Sequence, residues 1–160
     1  MDIINNQKAS FRLLADSIIT ADQLAEIRDD IRTISQMNFK FGSGSLSSQI
    51  KDKVGSSFYF YISSLEAEGR LPTAPSLGKF LSDINKSLSE INKVSLTLAF
   101  NPSLDFQKEV VLWFKNNLGK KVVAEFVVDE KIIGGLKIEY MGRYKDYSKA
   151  SEVHMALTLQ

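Results

Sequence analysis

The sequence predicts an α+β protein, in which an N-terminal all-α helical bundle is followed by a small C-terminal β-α-β-β-α domain. Two periodicities support this prediction. Up to about residue 90, apolar residues recur every three or four positions, as they do on one face of a helix. In "VSLTLAF" (94–100) they alternate with small or polar residues, as in a half-buried strand. We therefore expect two domains, over residues 1–90 and 91–160.

Two helices of the first domain have clear starting points. Thr20-Ala21-Asp22-Gln23 fits a capping box, whose Thr and Gln side chains bond free backbone N–H groups at a helix N-terminus. Pro72 and Pro75 precede a long helix, whose apolar stripe consists of Leu77, Phe80, Leu81, Ile84, Leu88 and Ile91. Because a single helix with such a stripe is marginally stable in water, we expect these helices to pack into a bundle.

The second domain shows two further strand patterns. "KVVAEFVV" (121–128) and "LKIEYM" (136–141) are typical of strands, and a helix is predicted to begin near Asp105. If the first two strands are neighbours, this helix forms a right-handed crossover between parallel strands, and the next pair is antiparallel. A last helix is predicted to begin near Asp146 or Ser148.

The stretch "VDEKIIGGLKIEY" (128–140) resembles the corner of a β-hairpin, although hairpin tips are usually polar. We expect Ile132 or Ile133 to fold onto the core beneath the helix of this domain. Gly134 and Gly135 would let the backbone pass close to that packing or adopt a positive φ. The glycine pair is therefore predicted to be structural, and not a ligand-binding loop.

Composition argues against several kinds of chemistry. The chain has no cysteine and one histidine, His154, which leaves no disulfide, thiol nucleophile or multi-histidine metal site. We therefore predict no catalytic residue, metal or cofactor. The net charge of +1 is far from that of a basic nucleic-acid-binding protein. No apolar run is long enough to span a bilayer and the N-terminus lacks an apolar signal core, so we expect a soluble intracellular protein.

Two carboxylate pairs and one glycine motif remain as candidates for function. Adjacent Asp29 and Asp30 point in different directions on a helix, so we interpret them, like Glu66 and Glu68, as solvent-facing. "KIIGGLK" (131–137) is similar to the Ile-Ile-Gly stretch of KH domains, and a nucleic-acid-binding adaptor with a KH-like α/β domain is the alternative hypothesis. The stretch lacks the second glycine of the G-x-x-G loop, which this alternative needs.

Three segments carry a family resemblance. "EGRLPTAPSLGKFL" (68–81) has a Gly-Arg-Leu turn before a long helix. "GKKVVAEFVVDEKIIGGLKIEY" (119–140) has a strand, Val-Asp, an aliphatic pair and Gly-Gly, and "GRYKDYSKASEV" (142–153) has Asp-x-Ser. In this order they resemble the delta subunit of the bacterial F-type ATP synthase, the homologue of the mitochondrial oligomycin-sensitivity-conferring protein. The matching positions are Gly69, Arg70, Leu71, Val128, Asp129, Ile132, Ile133, Gly134, Gly135, Asp146 and Ser148.

The resemblance implies a non-catalytic stator subunit. In this family the helical domain grips the N-terminal helices of the α subunits on top of the catalytic α3β3 hexamer. The C-terminal domain binds the C-terminal ends of the peripheral-stalk b subunits, so that proton flow is coupled to ATP synthesis or hydrolysis. The resemblance also implies no cofactor, no nucleic acid, and a location in the F1 sector at the cytoplasmic face of the cell membrane, which the chain reaches only through the complex.

Amphipathic surfaces supply candidates for the two contacts. For the α subunit we select Leu14, Ile18, Tyr59 and Tyr61, and for the b subunit Val111, Trp113 and Phe114. Such residues are also typical of a core. The alternative for Leu14 and Ile18 is therefore burial inside the bundle, and at least one of the other three is expected to face the sheet.

Overall fold

Helices occupy the first part of the chain and a four-stranded sheet the second, which confirms the predicted α+β class. The computed structural model describes residues 11, 14–37, 44–118 and 121–149. The helices are α1 (Ala21–Gln36), α2 (Leu46–Ile50), α3 (Ser56–Ala67), α4 (Ala74–Ser89) and α5 (Leu104–Leu118). The strands are β1 (Asn92–Leu98), β2 (Val122–Val128), β3 (Leu136–Tyr140) and β4 (Arg143–Asp146).

The chain divides into two compact units. The first unit contains the described residues up to Ile18 together with Gln23–Glu90, and the second contains Ile19–Asp22 together with those from Ile91 onwards. Within the second unit, Thr20 forms an isolated parallel bridge with Ala124 of β2. The Ala124 N–H donates to the Ile19 carbonyl at 2.9 Å. The segment that the sequence predicts as a helix cap is thus also a backbone partner of the sheet.

The helical unit buries most of the apolar stripe predicted for its long helix, but Ile91, the last residue of that stripe, is half-buried and follows the end of the helix. Thr73 is the N-cap of α4, and a proline occupies the first helical turn. The buried residues of this helix are Leu77, Phe80, Leu81, Ile84 and Leu88. Helix α1 contributes a second stripe, and its buried apolar residues are Ile27, Ile31 and Ile34. Burial of several such side chains, at about 1.5–3 kcal/mol each, is the main contribution to the stability of this unit.

Two carboxylates of the helical unit cap the starts of neighbouring helices. Both oxygens of Asp30 accept from the N–H of Gly55, the N-cap residue of α3, at 3.1 and 3.0 Å. Glu66 accepts from the N–H groups of Leu46 and Ser47 at the start of α2, at 2.8 and 3.2 Å. The interpretation of Asp30 and Glu66 as solvent-facing is therefore wrong, since each supplies an acceptor to backbone N–H groups that have no partner within their own helix.

These two carboxylates have pKa shifts of opposite direction. Burial raises the pKa of Asp30, and the hydrogen bond from Gly55 only partly offsets this. Burial also acts to raise the pKa of Glu66, but hydrogen bonds from Ser47, Leu46 and Ser45 together outweigh it and lower that pKa. Glu66 therefore favours its charged form in the folded protein.

The Gly-Arg-Leu turn ends helix α3 in a Schellman motif. Gly69 has a φ of 63°. Its N–H donates to the Glu66 carbonyl at 3.0 Å, and the Arg70 N–H donates to the Leu65 carbonyl at 2.8 Å. This pair of bonds satisfies two of the last carbonyls of the helix. The local structure of this helix end thus explains Gly69 and Arg70 of the family motif. Leu71, which follows them, is half-buried.

The strand order of the sheet is β2-β1-β3-β4. Strands β1 and β2 are parallel, as predicted. Strand β3 is antiparallel, but it pairs with β1 and not with β2. The interpretation of 128–140 as a hairpin corner is therefore wrong, because β1 lies between the two strands that this stretch connects. Strand β4 pairs with β3 and was not predicted; most of the predicted last helix lies outside the described residues.

Helix α5 covers one face of this sheet. Val94 and Leu96 of β1, Val122 and Ala124 of β2, and Val111 and Phe114 of α5 form one buried cluster. Of the isoleucine pair, Ile132 is buried and Ile133 is 57% exposed, which confirms that one of the two folds inwards. Ile132 is not part of the cluster under α5, which differs from the position predicted for it.

The connection from β2 to β3 crosses the end of β1. The Asp129 N–H donates to the carbonyl of Leu98, the last residue of β1, at 2.8 Å. The Asp129 side chain accepts from the Lys131 N–H at 3.0 Å, which is the bond to the turn backbone that an aspartate at this position favours. Val128 is half-exposed at the end of β2. The crossing is thus held to the end of β1 by a backbone bond, and it contains a turn that the Ile132 N–H closes on the Asp129 carbonyl at 3.1 Å.

The glycine pair lies against the segment that follows β4. Gly135 has a φ of 77°, and a Cβ at this residue would overlap the Tyr147 carbonyl oxygen and lie 2.9 Å from the Ser148 Cα. The Lys149 N–H donates to the Gly134 carbonyl at 3.3 Å. Asp146 accepts from the Ser148 N–H at 2.8 Å, and the bonds from Ser148 lower the pKa of Asp146. The Gly-Gly and Asp-x-Ser motifs are therefore parts of one structural element.

Gly135→Val is expected to unfold the second unit. A valine is strained at this φ by about 1–2 kcal/mol, and its side chain also collides with backbone that cannot move aside cheaply. Urea denaturation followed by the fluorescence of Trp113, the one tryptophan of the chain, reports on this unit. Gly142→Val is the control, because Gly142 has a φ of 73° and a Cβ there meets none of the described residues within 4 Å. A Gly135→Val unit as stable as the control would contradict a structural role for the pair.

Glu66→Gln is expected to destabilise the helical unit by about 1 kcal/mol at neutral pH, since it removes a charged acceptor from two N–H groups. Because the pKa of Glu66 is lowered on folding, its contribution is present above its usual value of 4.5 and is lost as the pH falls below it. The wild-type and variant denaturation midpoints, measured by circular dichroism, should therefore converge in acid. Glu68→Gln, which removes an exposed pair with Arg70, is the control; a constant difference at all pH values would count against the cap.

Candidate partner-binding grooves

A groove in the helical unit lies between the segment around residues 14–17 and helix α3. We call it the Tyr61 groove; it has a volume of about 240 Å³. Its lining residues are Leu14, Ser17, Ser57, Tyr61, Ser64, Leu65, Glu68 and Arg70. Leu14 and Leu65 form an apolar floor, because both are buried. Arg70 and Glu68 form an ion pair at 2.7 Å on the rim. An apolar floor with a polar rim is the usual anatomy of a protein-binding surface.

The hydroxyl of Tyr61 is the unusual group in this groove. It is buried, and among the described residues it has no hydrogen-bond partner. Burial raises the pKa of Tyr61 to about 12, although the nearby Arg70 acts in the opposite direction. A buried hydroxyl without a partner costs about 1–3 kcal/mol. A bound chain would remove this cost if it moved the covering side chains aside and placed a donor or an acceptor at the hydroxyl.

The four residues selected for the α contact do not share one position. Leu14 and Ile18 are 3% and 1% exposed, so the alternative of burial inside the helical unit describes them better than an open contact surface. Tyr59 is half-buried beside Phe60, with ring centroids 5.7 Å apart, and does not line the groove. Of the four, Leu14 and Tyr61 meet at the Tyr61 groove.

A second depression lies in the sheet unit between α5 and the sheet. We call it the Trp113 cavity; it has a volume of about 200 Å³ and only apolar lining residues. They are Leu96, Leu98, Phe106, Val110, Trp113, Phe114, Leu136 and Ile138. The strand register places Leu96 opposite Ile138 and Leu98 opposite Leu136, so that four of these side chains share the face under the helix. A cavity without polar groups offers water no hydrogen bonds, so it is suited to an apolar side chain.

Three neighbouring residues of α5 have different exposures. Val111 and Phe114 are 1% and 8% exposed, so they belong to the core of the unit and not to an exposed contact surface as selected. Trp113 is 58% exposed, and its ring lies edge-on to Phe114 with centroids 5.2 Å apart. The helical periodicity explains this split, since positions 111 and 114 lie on the sheet side of the helix. Trp113 is therefore the residue of the three that can enter a partner.

No group of three or more His, Asp or Glu side chains in the described ranges could hold a metal ion. None of the helices that the structure describes is long and apolar enough to cross a membrane. The KH-like alternative is not favoured, because Gly134 and Gly135 connect two strands and lie against residues 147–149 rather than in a loop between helices.

Each of the two units contains a groove with an apolar floor. The chain belongs to the family of ATP synthase delta (OSCP) subunits, whose model matches residues 42–156. This confirms the resemblance found in the sequence. The family is a structural, non-catalytic subunit of the ATP synthase and a component of its stator, or peripheral stalk.

One solved structure with a similar chain is the Toxoplasma gondii mitochondrial ATP synthase hexamer, determined by cryo-EM. The two chains are 15% identical over 99% of this chain and 97% of that one, with a TM-score of 0.37. A search of curated proteins found no match.

Proposed function

We propose that this chain links the top of the catalytic α3β3 hexamer to the b subunits of the peripheral stalk, so that proton flow is coupled to ATP synthesis or hydrolysis. The observation that carries the proposal is that each of the two units contains a groove with an apolar floor, as a link between two partners requires. Family membership supports the same role. The chain would lie at the cytoplasmic face of the cell membrane, held there by its partners.

In this proposal the Tyr61 groove binds an N-terminal helix of an α subunit. An amphipathic helix could lay apolar side chains on the floor of Leu14 and Leu65. Polar groups of the same helix could meet the Arg70–Glu68 pair, and could reach the buried Tyr61 hydroxyl if side chains of the groove move aside on binding. The domain over residues 1–90 would thus be the α-binding part.

The Trp113 cavity would bind the C-terminal end of a b subunit. Trp113 presents a large exposed ring beside a cavity lined only by apolar groups. Tryptophans next to such cavities are common hot spots of protein interfaces, because they bury a large area on binding at a small cost in side-chain entropy. The domain over residues 91–160 would thus be the b-binding part, with Trp113 as its central contact.

Tyr61→Phe should have opposite effects on the free and the bound chain. The free chain should be equally stable or up to about 1 kcal/mol more stable, because a buried hydroxyl without a partner is removed. Affinity for a peptide of the N-terminal α helix from the same organism should fall about three- to tenfold in calorimetry. Tyr59→Phe is the control, since Tyr59 does not line the groove. Unchanged affinity for Tyr61→Phe would refute the proposed hydroxyl contact.

Trp113→Ala should weaken binding to a C-terminal b-subunit fragment at least about thirtyfold, the loss typical of a hot spot. The substitution should change the free energy of unfolding only slightly, since Trp113 is 58% exposed. Leu112→Ala is a matched control, because Leu112 has the same exposure on the same helix but does not line the cavity. Fluorescence anisotropy of a labelled b fragment measures both. Equal losses for the two variants would show that the cavity is not the contact.

A further inference from the structure

Asp30 of α1 is the one charged residue within the described ranges that is buried, with 8% of its surface exposed. Both of its oxygens accept from a single donor, the Gly55 N–H. Within the described part of the chain it forms no ion pair. A carboxylate has about four lone-pair sites, so one N–H compensates its charge only in part. Burial of a charge with so little compensation is unfavourable.

A second carboxylate lies at the same place. Glu26 precedes Asp30 by four residues, and therefore lies one turn away on the same face of α1. A Cβ on Gly55 would overlap the Glu26 Oε1 and lie 3.2 Å from the Asp30 Oδ2. The two carboxylates thus converge on Gly55, the residue at which α3 begins. Burial raises the pKa of Asp30, the Gly55 bond lowers it, and the charges of Glu26 and Asp29 raise it further.

The neighbouring segments bring no positive charge to this point. Residues 51–53, which precede Gly55 and include two lysines, are exposed, and α3 has no charged residue over 56–65. On α1 itself, Arg32 pairs with Asp29 at 2.9 Å. Arg28 and Arg32 both line a cavity on the α4 side of the helix. The groups that act on Asp30 are therefore one backbone N–H and two carboxylates.

Protonation of Asp30 relieves this arrangement without breaking it. The carbonyl oxygen of a protonated carboxyl still accepts from the Gly55 N–H, whereas the burial cost of the charge and the repulsion from Glu26 are lost. Because the pKa is raised on folding, the stability from this group is fully present below its usual value of 3.8 and is lost as the pH rises through the raised value. Glu66, whose pKa is lowered, has the opposite dependence.

We propose that Asp30 is a proton-responsive brace between α1 and the start of α3. Uptake of a proton tightens the attachment of Gly55 to α1, and loss of the proton loosens it. Helix α3 supplies Ser57, Tyr61, Ser64 and Leu65 to the Tyr61 groove, so the brace acts on one wall of that groove. Its consequence for binding rests on the proposed function: the contact with the α subunit becomes tighter as the surroundings acidify.

The first test follows the Gly55 amide proton of the full chain by NMR from about pH 3.5 to 8, since its chemical shift reports the ionisation of its acceptor. It should titrate with a midpoint above 3.8, the usual value for an aspartate. Asp30→Asn should abolish this titration, and Glu26→Gln should lower its midpoint, because one negative charge is removed. Asp83→Asn, at an exposed residue of α4, is the control and should leave it unchanged.

A midpoint at or below 3.8, or a titration that persists in Asp30→Asn, would overturn the inference. Glu26→Gln keeps the test decisive even if Asp30→Asn does not fold, because Glu26 is exposed and its removal leaves the Gly55 bond in place. An unchanged midpoint in Glu26→Gln would show that the two carboxylates do not act on each other.

Hydrogen exchange tests whether the proton tightens the start of α3. The Tyr59 N–H donates to the Gly55 carbonyl at 2.9 Å, so its protection reports local opening at this point. After correction for the intrinsic pH dependence of exchange, its protection factor should rise at least about threefold as the pH falls through the Gly55 midpoint. It should stay constant in Asp30→Asn. A Gly55 titration without this rise would show that Asp30 binds a proton but is not a brace.

The effect on the α contact is measured separately, by calorimetry with the N-terminal α peptide at about one pH unit above and below the Gly55 midpoint. Relative to Asp30→Asn, the wild type should bind about threefold more tightly at the lower pH than at the higher one. If Gly55 and Tyr59 respond as expected but no variant binds the peptide, the proposed function fails and the brace stands. Binding with the same pH dependence in both chains would show that the brace does not act on the groove.

Discussion

The position of β1 in the middle of the sheet is the constraint on which the second unit depends. Because β2 and β3 flank it, the chain between them has to cross the end of β1, where the Asp129 N–H bonds the Leu98 carbonyl. The crossing then brings Gly135 against the backbone at Tyr147. A side chain at that point would displace β3, and with it Leu136 and Ile138, which form one side of the Trp113 cavity. The proposed stalk contact therefore depends on Gly135, although this residue does not line the Trp113 cavity.

The constraint in the helical unit is different, because its helix α2 is only five residues long. A helix of five residues, such as α2, leaves most of its backbone N–H groups without partners inside the helix. Glu66 supplies acceptors for two of them, and Asp30 does the same for the start of α3. The same helix α3 that carries Glu66 also presents Tyr61 to its groove. Helix α3 thus carries both Glu66, which caps α2, and Tyr61, which lines the groove. The rigidity of the groove therefore depends on the caps of Glu66 and Asp30.

The periodicity of apolar residues predicted the helices and strands well, but it predicted poorly which strands are neighbours in the sheet. The stripes of α1 and α4 and the alternation of β1 are local patterns, and they are visible in one sequence. Strand β4 was missed because all four of its residues are exposed and show no alternation. The neighbour of β3 could not be predicted, since a strand pattern does not state which edge it joins. Asp30 and Glu66 were misinterpreted because their partners lie 25 and about 20 residues away in the chain.

The candidate contact residues were also only partly predictable from the sequence. The sequence places Val111, Trp113 and Phe114 on one helix, but only the packing of α5 on the sheet shows that Trp113 faces outwards. Leu14 lies before α1 and Tyr61 lies on α3, so only the tertiary structure shows that both line one groove.

A link between two partners is tested most directly by asking whether it bridges them. The α3β3 hexamer and the soluble part of the b subunits, both from the same organism, can be mixed with and without this chain and analysed by sedimentation velocity. If the chain is the link, hexamer and b should sediment as one complex only when it is present, and an excess of either the α peptide or the b fragment should dissolve that complex. Joining of hexamer and b without the chain, or binding of only one of them at a time, would contradict the proposed role.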